Sequence, residues 1–115
     1  MGKLSLEKGK RGEQEVARVL KNFGFPARRS VQYCGSTGEA ADVVGLDGFH
    51  LEVKRCESLR LADWLRQAER DCGGAIPVVC HRRSNERWYA TLPMDDLFRL
   101  IAGLRGIIEP LLEAE

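Results

Sequence analysis

Hydrophobic residues recur at the three- and four-residue spacing of amphipathic helices in three stretches of the chain. The first stretch spans residues 12–23. The second follows Ser58, whose hydroxyl is a candidate N-cap. The third opens at Asp95 or Asp96 and has a wide apolar face, which Pro110 is expected to kink or end. The pattern therefore predicts three helices.

Shorter segments have the apolar-polar alternation or the composition of β-strands. A loop rich in Gly, Ser and Thr, CGSTGEA, separates the first two of them. The predicted order is helix, three strands, helix, two strands, helix, which indicates an α/β fold with a mixed central sheet of about five strands flanked by helices. The predicted strands are residues 27–33, 41–46, 49–54, 76–80 and 88–92.

Length and composition favour one soluble domain. The chain has 115 residues, of which 43% are hydrophobic, so residues 1–115 are expected to form one domain, with residues 1–9 able to form a flexible basic segment. No apolar run reaches the ~18 residues of a membrane helix, and the N-terminus is charged where a signal peptide would be apolar. A cytoplasmic location is expected, with a nucleoid-associated or viral setting also open. The four cysteines are widely spaced, so neither zinc nor disulfides are expected.

The turn between the second and third predicted strands determines whether two acids share a face. With a two-residue loop at residues 47–48, Asp42 would oppose Val53 and its side chain would lie on the face opposite to that of Glu52. With a three-residue loop at residues 46–48, built from a type I turn and a left-handed glycine that forms a bulge, Asp42 would face Glu52 directly. Only the second register allows a shared site.

Two carboxylates placed opposite each other destabilise a sheet unless something compensates their charge. Mg²⁺ would do so, because it takes one or two carboxylates, keeps several waters and leaves positions for phosphate oxygens. Lys54 shares the face of Glu52 and could orient a water or stabilise charge on a phosphate. These groups suit phosphodiester hydrolysis. A polar row of His, Glu and Lys is also common on a solvent-facing strand, so the row alone does not identify a site.

A third acid lies on the first predicted helix. At 100° per residue, Glu13 falls about 50° from the centre of the buried face, whereas Glu15 falls about 110° away. A buried carboxylate is costly without a partner. Glu13 is therefore predicted to point inward, where a metal site would supply that partner.

The stretch KGKRGEQEVARVLKNFGF, followed by a Gly/Ser loop, ADVVGL and LEVK, resembles the archaeal-type Holliday junction resolvases of the PD-(D/E)XK, or restriction-endonuclease-like, superfamily. The resemblance covers residues 8 to about 72 and, more loosely, the strand IPVVC. It depends on the ordered set of acids and lysine and not on any single piece. It implies a restriction-endonuclease-like core and a Mg²⁺-dependent DNA endonuclease, with Mn²⁺ able to substitute.

The resemblance also assigns residues. It makes Glu13, Asp42 and Glu52 metal ligands and catalytic residues, with the backbone carbonyl of Val53 as a further metal ligand and Lys54 as the catalytic lysine. Gln67 on the second helix would support the site, although an ordinary position on the flank of that helix explains it equally well. Basic clusters are common on solvated surfaces, but such residues would also contact DNA phosphates; the candidates are Lys8, Lys10, Arg11, Arg28, Arg29 and Arg55.

The chain departs from the family pattern in two places. Ala41 stands where the superfamily has its name-giving Pro. The loop before the metal-binding Asp carries a Ser in these resolvases, whereas here Cys34 aligns best and Ser36 follows two residues later, so either could make that DNA contact. Glu39 in the same loop could replace one of the acids.

The resemblance implies a branched-DNA substrate, a four-way junction, and no membrane partner or organic cofactor. Because such a junction is two-fold symmetric, a C2 homodimer is the simplest enzyme that cuts two opposed strands. The apolar last helix or a surface strand could supply the dimer surface, with core packing as the expected use of most of that helix face. Two alternatives stay open: another DNA nuclease of restriction, repair or flap type, and a catalytically inactive nucleic-acid-binding module.

Overall fold

A computed structural model describes residues 2–30 and 41–113 of the chain, with side chains for residues 7–30 and 41–112. The elements follow the predicted order, helix, three strands, helix, two strands, helix. They are α1 (Gly2–Asn22), β1 (Arg28–Arg29), β2 (Val43–Val44), β3 (Phe49–Arg55), α2 (Leu61–Asp71), β4 (Ile76–Arg82), β5 (Tyr89–Thr91) and α3 (Met94–Glu113).

The strands form one sheet in the order β1-β2-β3-β4-β5. The central pair, β3 and β4, is parallel and stays in register from Phe49 opposite Ile76 to Arg55 opposite Arg82. The other three pairs are antiparallel. A parallel pair needs a crossover, and α2 provides it. The predicted mixed five-stranded sheet is confirmed.

Helices pack on both faces of this sheet. On one face, Val16 and Ala17 of α1 pack with Leu51 and Val53 of β3. On the other face, Trp64 and Ala68 of α2 pack on Val79 of β4. Successive strand residues point to opposite faces, so Glu52, which pairs with Val79, lies on the α2 face.

The turn between β2 and β3 adopts the register that brings the two acids together. Val43 pairs with Leu51, which is the register of the three-residue loop, and the Asp42 N–H also donates to the Leu51 carbonyl at 2.9 Å. Gly48 has a φ of +86°, which a glycine adopts at little cost. The Asp42 carboxyl group acts on Glu52 through its charge and a side-chain hydrogen bond, so the two acids lie together, as a shared site requires.

The first helix begins at Gly2, well before the predicted start at residue 12, and it includes residues 2–9. One long-range contact supports the extension. The Lys8 ammonium binds the Glu57 carboxylate at 3.0 Å. A Cβ at Gly12 would lie 3.1 Å from the Arg55 Cβ, so the glycine lets α1 approach β3 closely.

The N-terminus of α2 differs from the prediction. Its N-cap residue is Arg60, which makes no capping hydrogen bond through its side chain, so Ser58 is not the N-cap. The helix is positioned instead by packing, since Leu61 and Trp64 in its first turn contact the cluster around Val79.

The last helix, α3, differs from the prediction in extent and in surroundings. It begins at Met94 and continues through Pro110 to Glu113, so Pro110 does not end it. Its apolar side chains are exposed and not packed in the core as expected: Leu97, Phe98, Leu100, Ile101, Leu104, Ile107, Ile108, Leu111 and Leu112.

The molecule measures 59 × 29 × 26 Å, and a helix of 20 residues is about 30 Å long, which matches a helix that projects from the sheet. Within the described residues, no helix combines the length and the apolar character needed to cross a membrane.

Candidate active site

Asp42 directly precedes β2, and both its backbone and its side chain make hydrogen bonds to β3. Its N–H donates to the Leu51 carbonyl at 2.9 Å. Its side chain, however, accepts the Val53 N–H at the Oδ2 atom, at 2.8 Å. The carboxylate therefore takes the place of a backbone acceptor and is held against β3 beside Glu52.

Glu52 is a buried carboxyl group with only 5% of its surface exposed. Burial is the main cause that raises its pKa, to about 7, and the charge of Asp42 raises it further. The Nε2 atom of His50, which is equally buried, lies 2.7 Å from Oε1 of Glu52 and lowers the pKa in part. The pair of acids is thus incompletely compensated by the protein itself.

Glu13 reaches this region from α1, on the opposite face of the sheet. Burial raises the pKa of Glu13, and a hydrogen bond from Arg29 lowers it. The charge of Asp42 raises this pKa further, whereas the charge of Lys54 lowers it. The carboxylate accepts the Arg29 Nε–H at 2.9 Å. Glu13 is thus half-buried, as predicted, within the electrostatic field of the other candidates, but its immediate partner is an arginine.

Lys54 and Gln67 were also predicted at the site. Lys54 is half-buried, and its charge lowers the pKa of Glu13. It follows Glu52 by two residues on β3, so both side chains leave the same face of the sheet. Gln67 is half-buried on α2, next to the buried Ala68, and its role stays a prediction.

The carboxylates of the candidate site fit a hard divalent cation such as Mg²⁺. Two carboxylates, those of Asp42 and Glu52, share one face and repel each other, and a cation would relieve that repulsion. Within residues 2–30 and 41–113, no group of three or more His, Cys, Asp or Glu side chains lies close enough together to hold a metal ion. Mg²⁺ usually binds through one or two carboxylates and completes its shell with waters and phosphate oxygens, so two acids suffice for it.

The predicted DNA-contacting residues fall into two groups. Lys10, Arg11 and Arg28 are exposed. The others hold carboxylates within the chain: Lys8 that of Glu57, Arg29 that of Glu13 and Arg55 that of Glu15. Cys34, Ser36 and Glu39 lie outside the described residues.

Two functional neighbours were missed by sequence reasoning. His50 was assigned to the polar row of β3, and only its burial shows that it is the partner of Glu52. Glu15, predicted to point away from the core, accepts Arg82 Nη1 at 2.8 Å and Trp88 Nε1 at 3.3 Å. No local pattern signals the Glu15 contacts, because these partners are 67 and 73 residues away in the chain.

The raised pKa of Glu52 gives a stability prediction for the metal-free protein. A carboxyl group whose pKa is raised on folding, here from 4.5 to about 7, stabilises the fold below pH 4.5, and that stabilisation is lost as the pH rises to about 7. At about 1.4 kcal/mol per pKa unit, the loss is up to roughly 3 kcal/mol. The free energy of unfolding of the wild type and of Glu52→Gln, measured with urea at pH 5 and pH 8 in the presence of a chelator, tests this loss.

The difference between the two proteins in the pH dependence of their stability reports the contribution of Glu52 and not that of other groups. Burial lowers the pKa of His81, which acts in the opposite direction, but it does so equally in both proteins. The Glu57 carboxyl, whose pKa is lowered to about 2 by Ser84 and Lys8, changes stability only below pH 4.5. If the unfolding free energy of Glu52→Gln depends on pH in the same way as that of the wild type, the pKa of Glu52 is not raised by folding.

Comparison with solved structures finds the Holliday junction resolvase Hjc from the archaeal hyperthermophile Archaeoglobus fulgidus. The two chains are 26% identical and superpose with a TM-score of 0.58, over 73% of this chain and 76% of that one. No family model and no curated protein matches the sequence. The predicted restriction-endonuclease-like fold and the resemblance to archaeal resolvases are confirmed by this match.

Proposed function

We propose that this protein is a Mg²⁺-dependent endonuclease that resolves four-way DNA junctions by paired phosphodiester hydrolysis. The observation that carries the proposal is the proximity of the Asp42 and Glu52 carboxyl groups, beside a sheet whose fold is shared with a Holliday junction resolvase. Burial and the charge of Asp42 raise the pKa of Glu52, as expected of an acid in a cation site.

In the proposed reaction, the chain's own groups position water and phosphate. Asp42, Glu52 and the Val53 carbonyl would hold Mg²⁺, which would polarise the phosphate and lower the pKa of a water molecule. The hydrogen bond from the Val53 N–H keeps Asp42 in place, and His50 keeps Glu52 in place. Lys54 orients the attacking water or stabilises the charge that develops on the phosphate. Glu13, paired with Arg29, borders the site and is the third acid of the predicted set.

The DNA backbone is proposed to follow a basic hollow between α1 and β1. Arg28 and Arg29 line this hollow together with Arg18 and Lys21 of α1. Arg29 also binds Glu13, so the hollow adjoins the candidate site. Contacts of this kind bind the charge of the backbone and not its base sequence. This surface therefore suits an enzyme that binds DNA without sequence preference.

Cleavage of DNA of different structure tests the proposal. The wild-type protein in Mg²⁺ is expected to introduce paired, symmetric nicks in a four-way junction and to leave linear duplex and single strands largely uncut, and chelation is expected to stop the reaction. Gel analysis of end-labelled strands measures this. Equal cleavage of duplex or flap DNA would favour another nuclease, whereas binding without cleavage of any substrate would favour the inactive module.

The proposed enzyme is a homodimer that associates through α3. An exposed apolar surface of this size on a soluble protein marks an interaction site. The charged residues between 94 and 112 of α3 are already paired within the helix, Arg99 with Asp95 and Asp96, and Arg105 with Glu109. The part of α3 that lacks a partner is therefore apolar and unsuited to DNA. A second copy of the chain presents the same apolar surface and supplies the two-fold symmetry that paired nicks need.

Replacing Leu104 with Asp is expected to weaken this dimer at least tenfold, because a buried charge without a partner is costly at an apolar interface. Sedimentation equilibrium over a concentration series measures the association. Phe23→Asp is the matched control, since Phe23 is exposed but lies outside α3. A Leu104→Asp protein as dimeric as the wild type would exclude α3 as the interface.

A further inference from the structure

A hollow of about 160 Å³ lies at the end of β3 that carries Lys54. Its wall includes Leu59, Trp64, His81, Arg83 and Tyr89. These residues come from the segment before α2, from α2 itself, and from β4, β5 and the connection between those strands. The hollow therefore has a wall of three rings and an edge at which Arg83 is paired with Glu86.

The three rings are held in a fixed arrangement. The His81 ring lies beside Tyr89, with centroids 6.1 Å apart and planes 25° apart, and beside Trp64, with centroids 6.3 Å apart. Thr91 Oγ1 lies 2.9 Å from His81 Nε2 and fixes the imidazole. Burial lowers the pKa of His81, which favours the neutral ring. The aromatic wall is thus formed before any ligand arrives.

Part of this wall faces solvent. Tyr89 is 54% exposed and Leu59 is 53% exposed, although both are large apolar or aromatic side chains. Cross-strand packing of Tyr89 on His81 stabilises the sheet, but it uses only one side of the tyrosine. The exposed side offers a surface on which a flat ring can stack.

The hollow is adjacent to the candidate active site. His81 pairs with Lys54 across the parallel strands β3 and β4, so both side chains leave the same face of the sheet. Neighbouring strands are about 4.8 Å apart. A phosphate at Lys54 would therefore lie within the reach of one nucleotide from the hollow.

We propose that this hollow binds an unpaired nucleobase of the cleaved strand, stacked on Tyr89 against the wall formed by His81 and Trp64. The inference rests on the proposed DNA-cleaving function and adds to it how the branch point is selected. A base at a branch point is easier to unstack than a base inside a continuous duplex, so a site for an unpaired base discriminates between them.

Abasic substitution in the DNA combined with Tyr89→Ala tests the stacking. Binding is measured in the Glu52→Gln background, so that no substrate is consumed. Removing one base next to the cleavage position is expected to weaken junction binding by about fivefold to 150-fold, the range of one stacked base. Tyr89→Ala is expected to cause a similar loss on the intact junction and no further loss on the abasic one, whereas Tyr89→Phe is expected to restore binding.

The outcomes separate this inference from the proposed function. If the wild type cleaves junctions but the abasic site and Tyr89→Ala weaken binding independently, or neither weakens it, the stacking site is wrong and the nuclease stands. If the wild type cleaves no DNA, the proposed function is wrong whatever the binding data show. Thermal unfolding of Tyr89→Ala should match that of the wild type within a few degrees, since more than half of the side chain is exposed.

Discussion

Glu52→Gln is expected to reduce DNA cleavage at least a thousandfold while DNA binding is retained. The amide keeps the size of the carboxyl group and can still accept a hydrogen bond from His50, but it removes one of the two charges proposed to hold Mg²⁺. A bound metal contributes several kcal/mol to transition-state stabilisation, and about 1.4 kcal/mol corresponds to a factor of ten. Single-turnover cleavage of a labelled junction measures the loss.

The same substitution should not destabilise the metal-free protein at pH 8. Glu52 is buried beside Asp42, and ionising it is unfavourable there, so a neutral amide is expected to raise the melting temperature in chelator. Loss of activity together with equal or greater stability cannot be explained by unfolding. Glu69→Gln is the matched control, because Glu69 is exposed on α2. A Glu52→Gln protein that cleaves at the wild-type rate would refute the site.

Lys54→Met is expected to slow cleavage by about 10²- to 10⁴-fold, the usual contribution of a positioned proton-transfer or charge-stabilising group. Methionine keeps an unbranched apolar side chain and removes the ammonium, so packing on β3 changes little. Mg²⁺ affinity of the free protein should stay the same or rise, because a nearby positive charge is lost. Isothermal titration with Mg²⁺ and single-turnover cleavage separate the two effects.

Lys21→Met provides the control for Lys54→Met, since Lys21 is exposed in the last turn of α1 and is not one of the candidate site residues. It lines the basic hollow, so it should weaken DNA binding modestly and leave the rate at saturating protein unchanged. A Lys54→Met protein with the same behaviour as Lys21→Met would make Lys54 a DNA contact and not a catalytic group.

Local chemistry explains which parts of the fold were predicted correctly. The alternation in β3 and the helical spacing in α1 and α2 depend on which residues face a core, so they can be recognised in short windows. The proximity of Asp42 and Glu52 followed only in part from local chemistry, because the turn allowed two registers and the structure adopts the one with a left-handed Gly48. The half-burial of Glu13 followed from helix geometry alone.

The errors occurred where distant residues decide the structure. The start of α2 was assigned to Ser58 on capping preference, but the packing of Leu61 and Trp64 determines it. The apolar residues of α3 were expected in the core, yet a hydrophobic pattern cannot distinguish a core from an interface, because both remove apolar surface from water. Only coordinates show that the sheet is already covered by α1 and α2.

The amino-acid sequence alone therefore determined the order of the elements and the α/β class, since both follow from side-chain periodicity. The tertiary structure alone decided which register brings Asp42 to Glu52 and which groups contact the acids. His50 and Arg29 hold Glu52 and Glu13, and the pKa of each acid depends on the water that surrounding elements exclude. Burial and long-range charge are properties of the packed chain, and no local pattern encodes them.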